Sequence, residues 1–373
     1  TLTTGDFTVG SAIGDGNDSL TLVASAGDIV GGGTVTANNL TLDAAGGIGI
    51  GTAVAANAST YSLTSAGAGA AGNITLVDIN SLNTSQVTNL STDGSAQTIS
   101  LTASTGNLTV NSAIGNATDN LTLAAASGNV VGGGATATAA TLTVAANGGI
   151  GIGAALVADA TTYSISTSGT GAAGDISLVD AGALNTNQIA TLNTDGTVQS
   201  ISLSATGDLT IDAAIGNTTD ALSLIATAGD IVGGATATAS TLLLNASGGI
   251  GTGTAVTADA AAYDLSTAGT GADGNIRLVD TGTFNTNQIS SLSTDATSQT
   301  ISLTASLGDL IVGAAIGNAT DNLSLLSSSG NVEGGATASA ATLTLAAGGG
   351  IGIGTAVTAD ATNYNLITAG VAS

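Results

Sequence analysis

Apolar and polar residues alternate in short bursts along the chain. Ile99-Ser100-Leu101, Leu121-Thr122-Leu123, Leu142-Thr143-Val144 and Tyr163-Ser164-Ile165 each place two apolar side chains on one side and a Ser or Thr on the other. A period of two marks a β-strand with one buried face. These bursts start 21 to 22 residues apart. Between them lie Gly-centred corners, such as Gly128-Asn129 and Gly134. No 3.6-residue apolar pattern is sustained, and Thr, Val, Ile and Gly are poor helix formers. A single strand this short cannot bury itself, but a coil of three strands stacked on like coils shares a continuous aliphatic core. The pattern predicts an all-β fold, a parallel β-helix of about 20 residues per coil. The preference for right-handed crossovers makes it a right-handed parallel β-helix.

A longer repeat contains the short one. Ala-Ile-Gly recurs at Ala12, Ala113, Ala214 and Ala315, in steps of 101 residues. The four tyrosines, Tyr61, Tyr163, Tyr263 and Tyr364, keep the same spacing to within one residue, so each holds one equivalent place. Leu-Val-Asp recurs at Leu76, Leu178 and Leu278. The copies run 1–98, 99–200, 201–300 and 301–373 as one continuous solenoid, with roughly five coils in each. The rhythm blurs through Asn185–Gly196 and resumes at Ile201. The first and last copies are cut short, and Thr1 opens in repeat-like sequence. The chain is therefore expected to be an interior piece of a longer protein, or a processed product.

Composition narrows the chemistry. The chain of 373 residues has one basic residue, Arg277, against 25 acidic ones, and no His, Cys, Pro, Met or Trp. Without His or Cys the usual zinc, copper and haem sites, the imidazole base and the thiolate nucleophile are all missing. A net charge of −24 argues against nucleic acid as a partner. Residues 44–77 carry no charge, but Gly, Ser, Thr and Asn interrupt them too often for a membrane span.

The acids fall into two classes. Corner residues exchange Asp for Asn between copies, as in Gly27-Asp28, Gly128-Asn129, Gly229-Asp230 and Gly330-Asn331, and again in Gly5-Asp6, Gly106-Asn107, Gly207-Asp208 and Gly308-Asp309. Charge is not needed there, and a turn role through left-handed or Asx geometry is expected. Other acids never exchange: Asp18, Asp119, Asp220 and Asp321; Asp78, Asp180 and Asp280; Asp93, Asp195 and Asp295. These are the places to look for calcium, which needs six to eight converging oxygens. The GGxGxDx repeat of calcium-binding β-rolls is absent, so no metal site is expected. The Gly-Ile-Gly-Ile runs, as at 149–152, lack the helix and Lys of a phosphate loop. Thr136-Ala137-Thr138 has an ice-binding pattern, but recurs only once per copy. Asn116-Ala117-Thr118 is a glycosylation sequon, as chance allows in this composition. The tyrosines, with Phe7 and Phe284 at leucine positions, are expected in the core. No acidic cluster breaks the repeat as a hydrolase site would, and one Arg does not suit a lyase. No catalytic, cofactor-binding or metal-binding residue is assigned.

The strings LTLAAASGNVVGGGATATAATLTVAANGGIGIG (121–153), LTVNSAIGNATDNLTL (108–123) and GDISLVDAGALNTNQ (174–188) resemble the repeats of filamentous haemagglutinin-type exoproteins. These are bacterial surface adhesins of the two-partner secretion and autotransporter kind. The resemblance covers essentially the whole chain. It implies a right-handed parallel β-helix, export across the outer membrane, and an extracellular or cell-surface role as a fibre or adhesin shaft. Absence of Cys suits export of an unfolded chain, because no disulfide forms in the periplasm to block passage. The partners to expect are identical chains, further repeats of the same chain, or a host, cell or matrix surface. The rival expectation is a self-assembling filament or sheath subunit, packed laterally or end to end.

Overall fold

The structure, a computed structural model, describes residues 1–295 and 297–369. The chain forms a parallel β-solenoid of about 17 turns with about 22 residues per turn, and its course fits the right-handed parallel β-helix. The chain divides into two units: Thr1–Ala181 with Gln188–Gln199, and Gly182–Asn187 with Ser200–Ser373.

Within the first unit, strands stack in parallel, each residue above its counterpart in the preceding turn. One column runs Phe7, Ile29, Ile48, Ile74, Ile99, Leu121, Leu142, Tyr163, Ile189. From Ile29 to Tyr163 no member is more than 1 % exposed. Burying each such aliphatic side chain contributes about 1.5–3 kcal/mol, so the core is a file of aliphatic side chains and needs few aromatic ones. The second unit has the same construction. Its column runs Leu184, Leu209, Ile231, Ile250, Ile276, Ile301, Leu323, Leu343, Tyr364.

The longest strands bend around a corner without breaking. Thr136–Ala146 has the burial pattern out-in-out-in until Ala140 and Thr141, which both face outward, and then alternation resumes. Val54–Ser65 does the same at Ser59 and Thr60. Two successive outward residues shift the phase of a period-two pattern, so the strand turns onto the next face while its interior side stays apolar. Elsewhere tight corners use glycine. At Gly132 a Cβ would lie 1.8 Å from the carbonyl oxygen of Ala155 in the next turn, so only glycine permits that stacking distance.

Turn length is uneven, and this changes what a repeat means in space. In the first unit 19 residues separate Ile29 from Ile48, but 26 separate Ile48 from Ile74. Four turns carry the column from Leu209 to Ile301, yet the sequence equivalent of Leu209 is Leu310, which stacks instead on Phe284. Phe7 and Leu108 are related in the same way in the first unit, because the column from Phe7 reaches Ile99 after four turns. One copy is therefore four turns and one further face, where roughly five turns were expected. Within each unit, equivalent residues of its consecutive copies sit on neighbouring faces, about a third of a turn apart.

Candidate functional site: the expanded turn of each copy

The irregular stretch seen in the sequence is the long turn. It follows the strands of Tyr61, Tyr163 and Tyr263 and contains two short 3-10 pieces, Gly69–Gly72 and Thr84–Gln86 in the first copy. It also gathers fixed acids and the Tyr and Gln of each copy, so any recurring chemistry belongs here.

The centre is a buried tyrosine–aspartate pair. Tyr61 Oη donates to Asp78 Oδ2 at 2.5 Å and accepts from the Ala58 N–H at 3.0 Å. Asp78 Oδ1 accepts from the Asn80 N–H at 2.8 Å. The pattern recurs with Tyr163, Asp180 and Ala160, and with Tyr263, Asp280 and Ala260. All three tyrosines are fully buried, as expected of core residues. Local geometry explains the demand. Ala58 stands at the corner of a bent strand, where its backbone groups turn away from the ladder. The Tyr61 hydroxyl takes its N–H, and Gln86 Nε2 donates to its carbonyl at 3.1 Å. A register shift at Tyr61 frees that residue's own carbonyl, which accepts from Thr88 Oγ1 at 3.0 Å. Buried backbone groups need partners, and here side chains replace the missing strand neighbour.

Burial pushes the Tyr61, Tyr163 and Tyr263 hydroxyls far above the ordinary phenol range, and the hydrogen bond to the aspartate and its charge push the same way. Burial also raises Asp78 and Asp280, against the hydrogen bonds from the tyrosine and a backbone N–H.

The second fixed set closes the end of the same turn. Asp119 is 1 % exposed; its carboxylate accepts from the Gln97 N–H at 3.0 Å, Thr92 Oγ1 at 3.0 Å and Asn116 Nδ2 at 2.8 Å. Asp321 repeats this with Gln299, Thr294 and Asn318. Asn116, the sequon residue, spends its Oδ1 on the N–H groups of Thr118 and Asp119. Asp18, in the first turn of the chain, is exposed. The third set lies at the surface. Asp93 Oδ1 accepts from Ser95 Oγ at 2.6 Å, the Ser95 N–H at 3.0 Å and Gln97 Nε2 at 2.7 Å, and these bonds, led by the Ser95 hydroxyl, hold Asp93 below the usual carboxylate range. Thr197 does the same for Asp195. Gln97 Nε2 also donates to the Gly67 carbonyl at 2.6 Å, whereas Gln97 Oε1 is buried and accepts no hydrogen bond from the protein.

The interchangeable acids act differently from the left-handed role expected for them. Positive φ among the described residues is confined to glycine. The corner Asp or Asn instead presents Oδ1 to the next turn. The Asp28 N–H donates to Asp6 Oδ1 at 3.0 Å, and the Gly47 N–H donates to Asp28 Oδ1 at 2.7 Å. Asn107, Asn129 and Gly149 repeat this at 3.0 and 2.8 Å. An amide oxygen accepts as a carboxylate oxygen does, which explains why Asp and Asn exchange.

A cleft of about 270 Å³ opens beside the expanded turn between Val87–Leu90 and Ile114–Asn116, and one of about 260 Å³ recurs between Ile289–Leu292 and Ile316–Asn318. No acid or base lines either cleft. Among the described residues no three acids gather as a cation site requires. The lone cation, Arg277, is exposed and donates to the Gly253 carbonyl at 3.2 Å. No helix among the described residues is long and apolar enough to cross a membrane. The sequence separated fixed from exchangeable acids, but it did not pair Tyr61 with Asp78. The constant offset of 17 residues between them was the available signal.

No protein-family model, curated protein or solved structure matches the chain. The structure is a β-solenoid compatible with a β-helix shaft.

Proposed function

We propose that this chain is the repetitive shaft of a secreted bacterial surface fibre or adhesin. It supplies length, rigidity and contact with cells or surfaces, and works without catalysis, cofactor or metal. The observation that carries this reading is the use made of the recurring polar residues. Each fixed acid in the expanded turn is bonded to side-chain or backbone groups of its own or the neighbouring turn: Asp78 by Tyr61, Asp119 by Thr92 and Asn116, Asp93 by Ser95. A nucleophile, base or cation ligand needs an oxygen free to face a substrate. Here the repeated chemistry is consumed in holding turn to turn, which is what a shaft requires. Likeness of the sequence strings to haemagglutinin-type repeats supports the extracellular placement.

The second reading is a filament or sheath subunit. It is favoured by the low charge density of the chain, in which only 7 % of residues are charged, so few lateral repulsions oppose packing between copies. Lateral packing through one repeated stripe is disfavoured within each unit, because consecutive copies present equivalent residues on different faces. Electron microscopy of cells carrying the native protein separates the readings. Single thin fibres projecting from the surface are expected; regular multi-chain filaments overturn the shaft in favour of the subunit.

A further inference from the structure

The ladder of stacked strands opens once in the side of each unit, at the cleft beside the expanded turn. Val87–Ser91 pairs on one side with Val54–Ser65. On its other side, among the described residues, it has no strand partner, and the cleft of about 270 Å³ lies against it. The facing wall is the start of Ile114–Ala125. Residues 120–125 of that strand pair on both sides, with Thr98–Ala103 and Thr136–Ala146, whereas residues 114–116 pair only with Thr136–Ala146. The second unit repeats the arrangement. Ile289–Ser293 pairs only with Val256–Thr267, Ile316–Gly317 pairs only with Thr337–Ala347, and the cleft of about 260 Å³ lies between them. Side chains bridge the opening at both ends. Thr84 Oγ1 accepts from the Ser112 N–H and donates to the Ser112 carbonyl, both at 2.8 Å, and Thr92 Oγ1 donates to Asp119. Thr286 with Ala314 and Thr294 with Asp321 do the same in the second unit.

We propose that each cleft is a strand-addition site for a partner polypeptide, binding a short, uncharged, extended segment in which aliphatic and hydroxyl residues alternate. Two facing strand edges offer rows of N–H and C=O groups, which another extended main chain matches. The polar side chains around the opening are already spent. Thr88 and Ser290 donate to the Tyr61 and Tyr263 carbonyls, and Asn116 and Asn318 are bonded to Asp119 and Asp321. Main chain is therefore what the walls have left to give, which favours a peptide over a sugar. The floor is apolar: Val87 and Leu90 are half-buried, although Tyr61 and Leu63, on which they stack, are fully buried. Both volumes fall below the roughly 300–1,000 Å³ of a drug-sized ligand pocket, so the segment is short. The chain itself shows what fills a one-strand opening. Thr98–Ala103 and Thr300–Ala305 both read Thr-Ile-Ser-Leu-Thr-Ala, and each pairs in parallel on both sides. The inference does not rest on the shaft reading and holds equally for a filament subunit.

The test uses the chain of 373 residues and a capped peptide Thr-Ile-Ser-Leu-Thr-Ala, with hydrogen exchange read by mass spectrometry. At about 1 mM peptide, protection is expected over Val87–Ser91 and residues 114–116, and over Ile289–Ser293 and Ile316–Gly317. Methylating the backbone nitrogens of the peptide's serine and leucine removes its donors but keeps its side chains, and is expected to weaken binding about fivefold. Aspartate in place of that serine is expected to weaken binding as well, in a chain of net charge −24. Asn89→Trp covers the first cleft and is expected to abolish protection there while the second cleft still binds; Ser291→Trp is expected to do the reverse. Circular dichroism checks that both variants keep the fold. The proposal is overturned if neither pair of walls is protected, if the methylated peptide binds equally, or if the folded Trp variants leave protection unchanged. Protection of the same walls by methyl glucoside alone would make a sugar the occupant and overturn it too.

Discussion

A regular turn and an expanded turn solve the same problem by different means. Around Leu121, Leu142 and Tyr163 the backbone ladder runs residue to residue, and side chains have only to fill the interior. Around Ala58, Tyr61 and Val87 the ladder slips, and Tyr, Asp, Gln and Thr side chains supply the missing hydrogen bonds. Residue identity is accordingly free in one place and fixed in the other. A corner in the regular turns accepts Asp28 or Asn129, whereas the tyrosine turn has Asp78, Asp180 and Asp280. At Asp78, Asp180 and Asp280 the invariant carboxylate marks where the bent strand lacks a regular neighbour.

The largest expected effect comes from emptying the expanded turn. Tyr263→Ala removes a fully buried ring packed edge-on against Phe284 at 5.6 Å, and a loss of about 3–5 kcal/mol in chemical denaturation is expected. Leu244→Ala in a regular turn creates a cavity alone, costing about 2–5 kcal/mol. If the leucine change proves much the more damaging, the polar turn is not the more demanding place.

Tyr263→Phe isolates the hydroxyl. It strands the Ala260 N–H and one oxygen of Asp280, and a cost of about 1–3 kcal/mol is expected. No loss in the denaturation midpoint would show that the pair is ornamental.

Titration sharpens the same contrast. The raised tyrosines contribute stability that is fully present below the unfolded phenol value near pH 10 and is lost as pH rises above it, so cooperative alkaline unfolding is expected. Asp78 and Asp280, also raised, favour the fold below the unfolded carboxyl value, and that contribution is lost as pH rises through their elevated values. Asp93 and Asp195 are lowered, so their contribution is present above the unfolded value and is lost as acid protonates them. Denaturation midpoints across pH for the wild type and Asp280→Asn separate these terms. The variant is expected to lose less stability than the wild type on going from acid to neutral pH.

The smallest effect belongs to the corners. Asp230→Asn keeps the oxygen that accepts from the Gly249 N–H at 2.7 Å and should shift stability by less than about 0.5 kcal/mol. Asp230→Ala removes it and should cost about 1 kcal/mol. Equal effects would mean that charge, rather than the acceptor oxygen, matters there.

Much of the fold was legible in the chain. Period-two alternation, glycine corners and copies 101 residues apart determined a stacked parallel β-solenoid, because each is a local property of consecutive residues. The exchange of Asp for Asn likewise exposed corner chemistry, though the oxygen acts on the next turn and not through left-handed backbone. Tertiary structure alone decided which residues stack. A sequence period counts residues, while vertical neighbours are set by turns of 19 to 26 residues. That unevenness shifts equivalent residues one face further round within each unit and brings Asp78 onto Tyr61.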